Sequence, residues 1–111
     1  MKVAIIGSRT AEIDKTFILP YLPLGCSEIV SGGAKGVDSL AKEIADELDL
    51  SYTVFYPDYQ RYGKKAPLKR NTQIIEYADY ILAFWDYESA GTRNAILQAL
   101  KIHKRIKIIC I

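Results

Sequence analysis

Five short runs of apolar and β-branched residues, alternating with helical or turn-like segments, constrain the fold of this chain more than any other feature. The first run (KVAII) and the fourth (YILAFW) contain almost no polar residue, which is typical of strands buried on both faces. The runs predict β-strands at residues 2–6, 27–30, 51–56, 80–85 and 105–111.

Segment 37–48 has the clearest helical pattern. Its apolar residues recur at intervals of three and four, with charged residues on the opposite face. Helices are also predicted over 68–78 and 92–103, whereas 12–22 is only weakly helical because Pro20 interrupts it. Residues 57–67 are predicted to form a polar, basic, tyrosine-bearing loop, and loops of this length are often functional.

The alternation of strands and helices predicts the α/β class, with a parallel sheet covered by helices on both faces. We expect a single Rossmann-like three-layer domain over residues 1–111, with a five-stranded sheet in the order 3-2-1-4-5. A chain of 111 residues can build one hydrophobic core, and it leaves no room for separate catalytic and cofactor domains.

The charge and the cysteine content argue against a nucleic-acid-binding protein and against a metal-binding protein. The net charge of +2 is too small to indicate nucleic-acid binding by itself, although residues 61–70 carry five basic side chains and no acid. Cys26 and Cys110 have no CxxC spacing and there is one histidine, so we expect free thiols, no metal site and no cofactor. No segment predicts a signal peptide or a membrane span, so the expected location is the cytoplasm.

Polar, glycine-containing segments follow predicted strands one, two and four, at residues 7–9, 31–36 and 86–92. In a sheet of this order, ligands bind at the carboxyl ends of the strands, where the strand order reverses. Glycines let the backbone approach a ligand closely, and the first turn of each following helix attracts anions. A phosphate or a nucleotide is therefore the favoured ligand, although neither the P-loop nor the GxGxxG pattern is present.

The predicted ligand-binding residues are Gly7, Ser8, Arg9, Ser31, Gly32, Gly33, Lys35, Gly36, Asp38, Asn71, Ser89, Gly91 and Thr92. For Asp38 a second interpretation stays open, in which its carboxylate accepts hydrogen bonds from backbone N–H groups near the start of its helix.

Aromatic residues are concentrated between positions 52 and 87. Those within the predicted strands are expected in the core, namely Tyr52, Phe55, Tyr80 and Phe84. Those at strand ends or in loops are candidates for stacking on a base or for filling a subunit interface, namely Tyr59, Tyr62, Trp85 and Tyr87.

Four segments of the chain, MKVAIIGSR, VSGGAKGVDSLA, LKRN and FWDYESAGTRNAI, resemble the SLOG superfamily of Rossmann-like proteins, and its small YspA-like group in particular. SGGAKGVD is similar to the signature of the DNA-processing protein A family. ESAGT falls where Lonely Guy phosphoribohydrolases carry PGGxGT. The resemblance implies a domain that binds a nucleotide or nucleotide-derived ligand and that often dimerises.

The Lonely Guy resemblance also implies an enzymatic alternative, the cleavage of the N-glycosidic bond of a nucleoside monophosphate. Arg70 matches the arginine of that family, but Ala95 stands where those enzymes carry a glutamate. The candidate catalytic residues are therefore Arg70 and Asp86, with Glu88 as a further nearby acid. For Asp86 the alternative is a loop-start carboxylate bonded to nearby backbone N–H groups.

Two further expectations concern partners. The basic segment 61–70, with Tyr62 among its cations, leaves single-stranded nucleic-acid binding open as an alternative that is not favoured. A site on one edge of so small a domain is open on one side, so we expect a homodimer or higher homo-oligomer to complete it. No membrane partner is expected.

Overall fold

The computed structural model describes residues 1–111 as one five-stranded, all-parallel sheet in the order β3-β2-β1-β4-β5, flanked by helices. The predicted α/β class, the Rossmann-like architecture and the strand order are confirmed. The strands are β1 (Lys2–Gly7), β2 (Glu28–Ser31), β3 (Ser51–Val54), β4 (Tyr80–Trp85) and β5 (Ile106–Cys110).

The five α-helices are α1 (Lys15–Ile18), α2 (Val37–Glu47), α3 (Tyr59–Tyr62), α4 (Ala66–Tyr77) and α5 (Ala90–Lys101). The weak helix predicted over 12–22 is reduced to α1 and a 3-10 turn at Leu19–Tyr21, in which Pro20 lies near the start. The helix predicted over 92–103 is α5, which begins two residues earlier than predicted, at Ala90.

The prediction of a continuous loop over 57–67 is wrong. This segment contains α3, a 3-10 turn at Gly63–Lys65 and the first turn of α4. The side chain of Asp58 accepts a hydrogen bond from the N–H of Arg61 and so caps α3. Pro67 lies in the first turn of α4, where its missing N–H removes no helical hydrogen bond.

The core has two parts, one on each face of the sheet. Alternate residues of a strand point to opposite faces, so Ile5 of β1 packs toward α2 while Ile6 packs toward α4 and α5. Phe84 is fully buried, as predicted, whereas the phenol rings of Tyr52 and Tyr80 are only partly buried at the margin of the core. Phe55 is also only partly buried and packs at the margin of the opposite core.

The register of the strands brings the predicted site segments to one edge. Gly7 at the end of β1 is paired with Phe84 of β4, and Ser31 at the end of β2 is paired with Val54 of β3. The loops after β1, β2 and β4 therefore leave the sheet side by side, together with the segment after β3.

The structure also bears on membrane insertion, disulfide bonding and metal binding. None of the helices combines the length and the apolar character that crossing a bilayer requires. Cys26 and Cys110 are both free thiols, and no cluster of three or more histidine, cysteine or carboxylate side chains is arranged to hold a metal ion.

Gly7 allows α2 to pack closely against the end of β1. A Cβ at this position would lie 2.6 Å from the carbonyl oxygen of Phe84 and 2.7 Å from Cγ2 of Val37. The contact with Phe84 is to backbone, so it cannot be relieved by a change of rotamer. Glycine is therefore required here by space.

We expect Gly7→Ala to lower the free energy of unfolding by about 1–3 kcal/mol, the usual cost of overpacking a core. Gly25→Ala is the matched control, because a Cβ at Gly25 meets no atom within 4 Å. Urea unfolding of both variants measures the difference. Equal unfolding midpoints for the two variants would contradict the packing argument.

Candidate functional site

Two adjoining depressions lie at the carboxyl edge of the sheet. The first, which we name the α5 cleft, has a volume of about 290 Å³ and lies between the end of β1, helix α4 and the first turn of α5. The second, the Tyr56 groove, has a volume of about 310 Å³ and lies over the loop after β2. Arg9, Ala34 and Arg70 line both, so the two depressions adjoin each other.

Most of the sequence-predicted site residues are brought together here. The α5 cleft is lined by Gly7, Arg9, Asp38, Arg70, Asn71, Ser89, Gly91 and Thr92. The Tyr56 groove is lined by Gly32, Gly33 and Lys35, along with the shared arginines. The structure thus unites residues from four separate segments of the chain.

Ser8, Ser31 and Gly36 line neither depression. The two serines are buried and their hydroxyl groups are already bonded: Ser8 Oγ accepts from Ser89 Oγ at 2.9 Å, and Ser31 Oγ shares a 2.6 Å hydrogen bond with the Tyr52 hydroxyl. Gly36 has a φ of +73°, and a side chain there would overlap the carbonyl oxygens of Ser8 and Arg9. These three residues shape the loops.

Arg70 is the central side chain of the site. It projects from the first half of α4, is 8% exposed, and donates through Nη1 to the Gly32 carbonyl and through Nε to Asn71 Oδ1. Burial lowers the pKa of the guanidinium, which nonetheless stays protonated in proteins. Its Nη2 makes no hydrogen bond within the chain, and because no fully buried polar atom lacks a partner, Nη2 is not fully buried. Arg70 lines both the α5 cleft and the Tyr56 groove, so this donor is available to a ligand at this edge.

Asn71 connects Arg70 to helix α5. Its Nδ2 donates to the carbonyl oxygen of Gly91 and to Oδ1 of Asn94, both at 3.2 Å. The chain of hydrogen bonds from Gly32 through Arg70 and Asn71 to Gly91 therefore fixes the loop after β2 relative to the start of α5. We interpret Asn71 as a positioning residue.

Asp38 is the one acidic side chain that lines the α5 cleft. Its Oδ2 accepts from the N–H of Gly32 at 3.0 Å and of Ala34 at 3.5 Å, so it holds the loop that precedes its helix rather than capping α2 itself. Its Oδ1 has no partner within the chain although the residue is only 6% exposed. Burial raises the pKa of this carboxyl, against the opposing effects of the Gly32 hydrogen bond and of nearby Arg70.

The first turn of α5 offers donors that no protein group uses. Asp86 accepts from the N–H groups of Glu88 and Ser89, and the N–H of Arg93 donates to the Ser89 carbonyl. The N–H groups of residues 90–92 lie between these, and the Ser89 side chain does not cap them. Thr92 is 7% exposed, lines the cleft, and its hydroxyl makes no hydrogen bond within the chain.

Asp86, the second candidate catalytic residue, is not brought into the α5 cleft. It lies on the far side of the loop, in a separate depression with Phe17 and Cys110. The N–H groups of Ser89 and Glu88 lower the pKa of its carboxyl to about 2, so it is ionised near neutral pH and its oxygens are occupied. This geometry favours a structural role for Asp86, as a carboxylate that binds backbone N–H groups at the start of its loop, over a role in proton transfer.

The four aromatic residues named as candidates for base stacking line neither depression, although Tyr62 lines a neighbouring one that also contains Tyr56 and Arg70. Trp85 and Tyr87 pack on each other with ring centroids 4.9 Å apart. The Tyr62 ring has the cations of Arg61 at 5.2 Å and Lys69 at 5.8 Å. The aromatic ring that does line the Tyr56 groove is Tyr56 itself. The sequence pattern placed this residue at the end of a predicted strand over 51–56, but β3 ends at Val54 and leaves Tyr56 in the segment that follows.

Sequence reasoning also missed several small and apolar lining residues, namely Thr10, Ala34, Pro67, Leu68, Ala90 and Ala95. Most carry no chemistry that a motif search would single out. Ala95 is informative, since the Lonely Guy resemblance places a glutamate at this position and the structure places its methyl group in the cleft.

The fold and the cleft define a Rossmann-like α/β domain with a polar, arginine-containing depression at the point where the strand order reverses. In comparisons with known proteins, no family model, no curated protein and no solved structure matches this chain. The geometry of the cleft is therefore the basis of the functional proposal.

We expect Asp38→Asn to make the protein more stable at pH 7, because asparagine keeps an acceptor for Gly32 and Ala34 without burying a charge. A carboxyl whose pKa is raised by folding costs stability above its ordinary value of 3.8, so the gain should shrink as the pH falls toward about 4. Thermal unfolding between pH 4 and pH 8 measures it.

Asp46→Asn on the same helix is the control. Asp46 is exposed and paired only with Lys42, and such surface pairs contribute about 1 kcal/mol at most. A loss of stability in Asp38→Asn at pH 7 would show that the Asp38 charge is stabilised by its surroundings, contrary to this argument.

Proposed function

We propose that the α5 cleft binds a phosphate-bearing small molecule of the nucleotide or nucleotide-derived class. The observation that carries the proposal is the meeting of the unbonded Thr92 hydroxyl, the uncapped first turn of α5 and two guanidinium groups in one depression. Backbone N–H groups and a positive helix end attract an anion. Arginine adds charge-assisted hydrogen bonds of the kind that phosphate accepts.

Gly91 supports this assignment. It lies inside α5 without a left-handed φ, and a Cβ at this position would meet no atom within 4 Å. Glycine in a helix costs about 1 kcal/mol relative to alanine. Neither backbone conformation nor packing within the chain requires glycine here, and the missing side chain leaves space at the mouth of the cleft.

Asp38 supports a ligand that carries hydroxyl groups beside its phosphate. Burial raises the pKa of the Asp38 carboxyl, and its Oδ1, which is not fully buried, accepts no hydrogen bond within the chain. A desolvated carboxyl of this kind is characteristic of functional sites. In the α5 cleft, Asp38 is the natural acceptor for the hydroxyl groups of a sugar. A sugar phosphate moiety satisfies both the donors and the acceptor of the site.

The arrangement supports binding more than N-glycosidic cleavage. Ala95 supplies a methyl group where the resemblance calls for a carboxylate, and Asp86 lies outside the cleft. Asp38 is the remaining acid, and one of its oxygens already holds the loop after β2. Chromatography of nucleoside monophosphates after incubation with the protein would reveal any released base.

Nucleic-acid binding by the 61–70 segment receives less support. Arg61, Lys64, Lys65 and Lys69 are exposed, but the Tyr62 ring among them already has cations near it. Base stacking, which single-stranded nucleic-acid sites need, would have to displace them.

We expect nucleoside monophosphates to raise the melting temperature of the protein, and Thr92→Val to weaken their binding roughly tenfold. A hydrogen bond to a charged group contributes about 1.5–3 kcal/mol, and 1.4 kcal/mol corresponds to a factor of ten. Valine has nearly the shape of threonine and the lost hydroxyl has no partner in the chain, so the free protein should unfold normally. Thermal-shift titrations and calorimetry measure both effects.

Two substitutions of Gly91 test stability and binding separately. Gly91→Ala should stabilise the free protein by about 0.5–1 kcal/mol through helix propensity, while Gly91→Glu should abolish binding by filling the cleft with a negative charge. Stabilisation of the wild type by no phosphorylated compound, or equal stabilisation of Gly91→Glu, would contradict the proposal.

We also propose that the protein forms a homodimer that closes the open side of the site. Support comes from the partly open form of both depressions and from exposed apolar side chains on α5 and β5, namely Leu97, Leu100 and Ile108. Light scattering should report twice the chain mass of 12.5 kDa. A species of single-chain mass at high concentration would contradict the dimer.

A further inference from the structure

Tyr56 is a large and mostly exposed aromatic ring at the edge of the site. It lies two residues beyond the end of β3, is 68% exposed, and lines the Tyr56 groove together with the cationic side chains of Arg9, Lys35 and Arg70. Single exposed aromatic rings are common on protein surfaces. This one is distinguished by its place in a groove that adjoins the α5 cleft.

The backbone of the loop after β2 holds the ring in this position. Gly33 has a φ of +69°, and a Cβ there would overlap the Tyr56 ring and lie 2.9 Å from Cγ1 of Val54. The loop thus passes against the ring with no side chain between them. An aromatic ring supported in this way loses little freedom when a flat ligand stacks on its open face.

The two depressions adjoin at Arg9, Ala34 and Arg70, so a ligand anchored in the α5 cleft can extend into the Tyr56 groove. A phosphate at the first turn of α5 with its sugar beside Asp38 would direct a base along Arg9 and Arg70 toward Tyr56. Inorganic phosphate or a simple sugar phosphate would fill only the α5 cleft.

We propose that Tyr56 is the stacking platform for an aromatic base, so that the ligand of the site is a nucleotide whose base occupies the Tyr56 groove. This inference rests on the proposed phosphate site in the α5 cleft and adds the part of the ligand that the cleft alone does not specify. The groove offers cations and a ring face rather than a set of directional acceptors. It therefore selects for a flat aromatic group more than for one particular base.

The test compares adenosine monophosphate with ribose 5-phosphate by calorimetry, on the wild type, Tyr56→Leu and Tyr59→Leu. Stacking of a base on an aromatic side chain typically changes affinity by a factor of roughly ten or more. We expect the wild type to bind the nucleotide about tenfold more tightly than the sugar phosphate. In Tyr56→Leu this preference should disappear, with affinity for ribose 5-phosphate unchanged.

Tyr59→Leu is the matched control, since Tyr59 is 59% exposed in the adjacent segment and lines neither depression. It should keep the wild-type preference. Because both tyrosines are exposed, both variants should fold, and their melting temperatures without ligand verify this. Replacing adenosine monophosphate by uridine monophosphate should preserve most of the effect.

Three outcomes would overturn the inference: equal wild-type affinity for the two compounds, a preference that survives in Tyr56→Leu, or the same loss in Tyr59→Leu. In the first case, ribose 5-phosphate binding that depends on Thr92 would leave the phosphate site intact while removing the base platform. Binding of neither compound would reject the phosphate site and the platform together.

Discussion

The buried guanidinium of Arg70 is the interaction on which the site depends. It reaches from α4 to the Gly32 carbonyl in the loop after β2, and through Asn71 it is tied to the first turn of α5. It makes the only side-chain hydrogen bond from α4 to the loop after β2, whereas α4 and α5 are also joined by Thr72 and Gln98. Gly32 has to be glycine for the same reason, because a Cβ there would overlap the guanidinium.

Three of the six buried polar residues keep a side-chain atom that has no partner within the chain. No fully buried polar side-chain atom lacks a hydrogen bond. The groups left open are Nη2 of Arg70, Oδ1 of Asp38 and the hydroxyl of Thr92, and all three belong to residues that line the α5 cleft. Donors and an acceptor that converge in one depression describe a ligand with an anionic group and hydroxyl groups, which is the basis of the proposed function.

Some segments of the fold were predictable from the sequence and others were not. Helix α2 was predictable because its apolar pattern is strong and local, and β1 and β4 because they are continuously apolar. Residues 57–67 were not predictable as α3 and the start of α4, since their polar and basic composition resembles a loop. There, capping by Asp58 and the burial of Ala66 outweigh the weak intrinsic preference.

The sequence by itself determined the five strands, because apolar periodicity is local, and it favoured the strand order that brings the glycine-containing loops to one edge, because right-handed crossovers restrict the topology. The tertiary structure alone decided which side chains at that edge remain free for a ligand. The hydroxyl groups of Ser8 and Ser31 form hydrogen bonds within the protein. Asp86 lies outside the α5 cleft, whereas Tyr56 lines the groove beside it. The physical reason is that these outcomes depend on hydrogen bonds and close backbone contacts between segments far apart in the chain, as when Arg70 reaches Gly32.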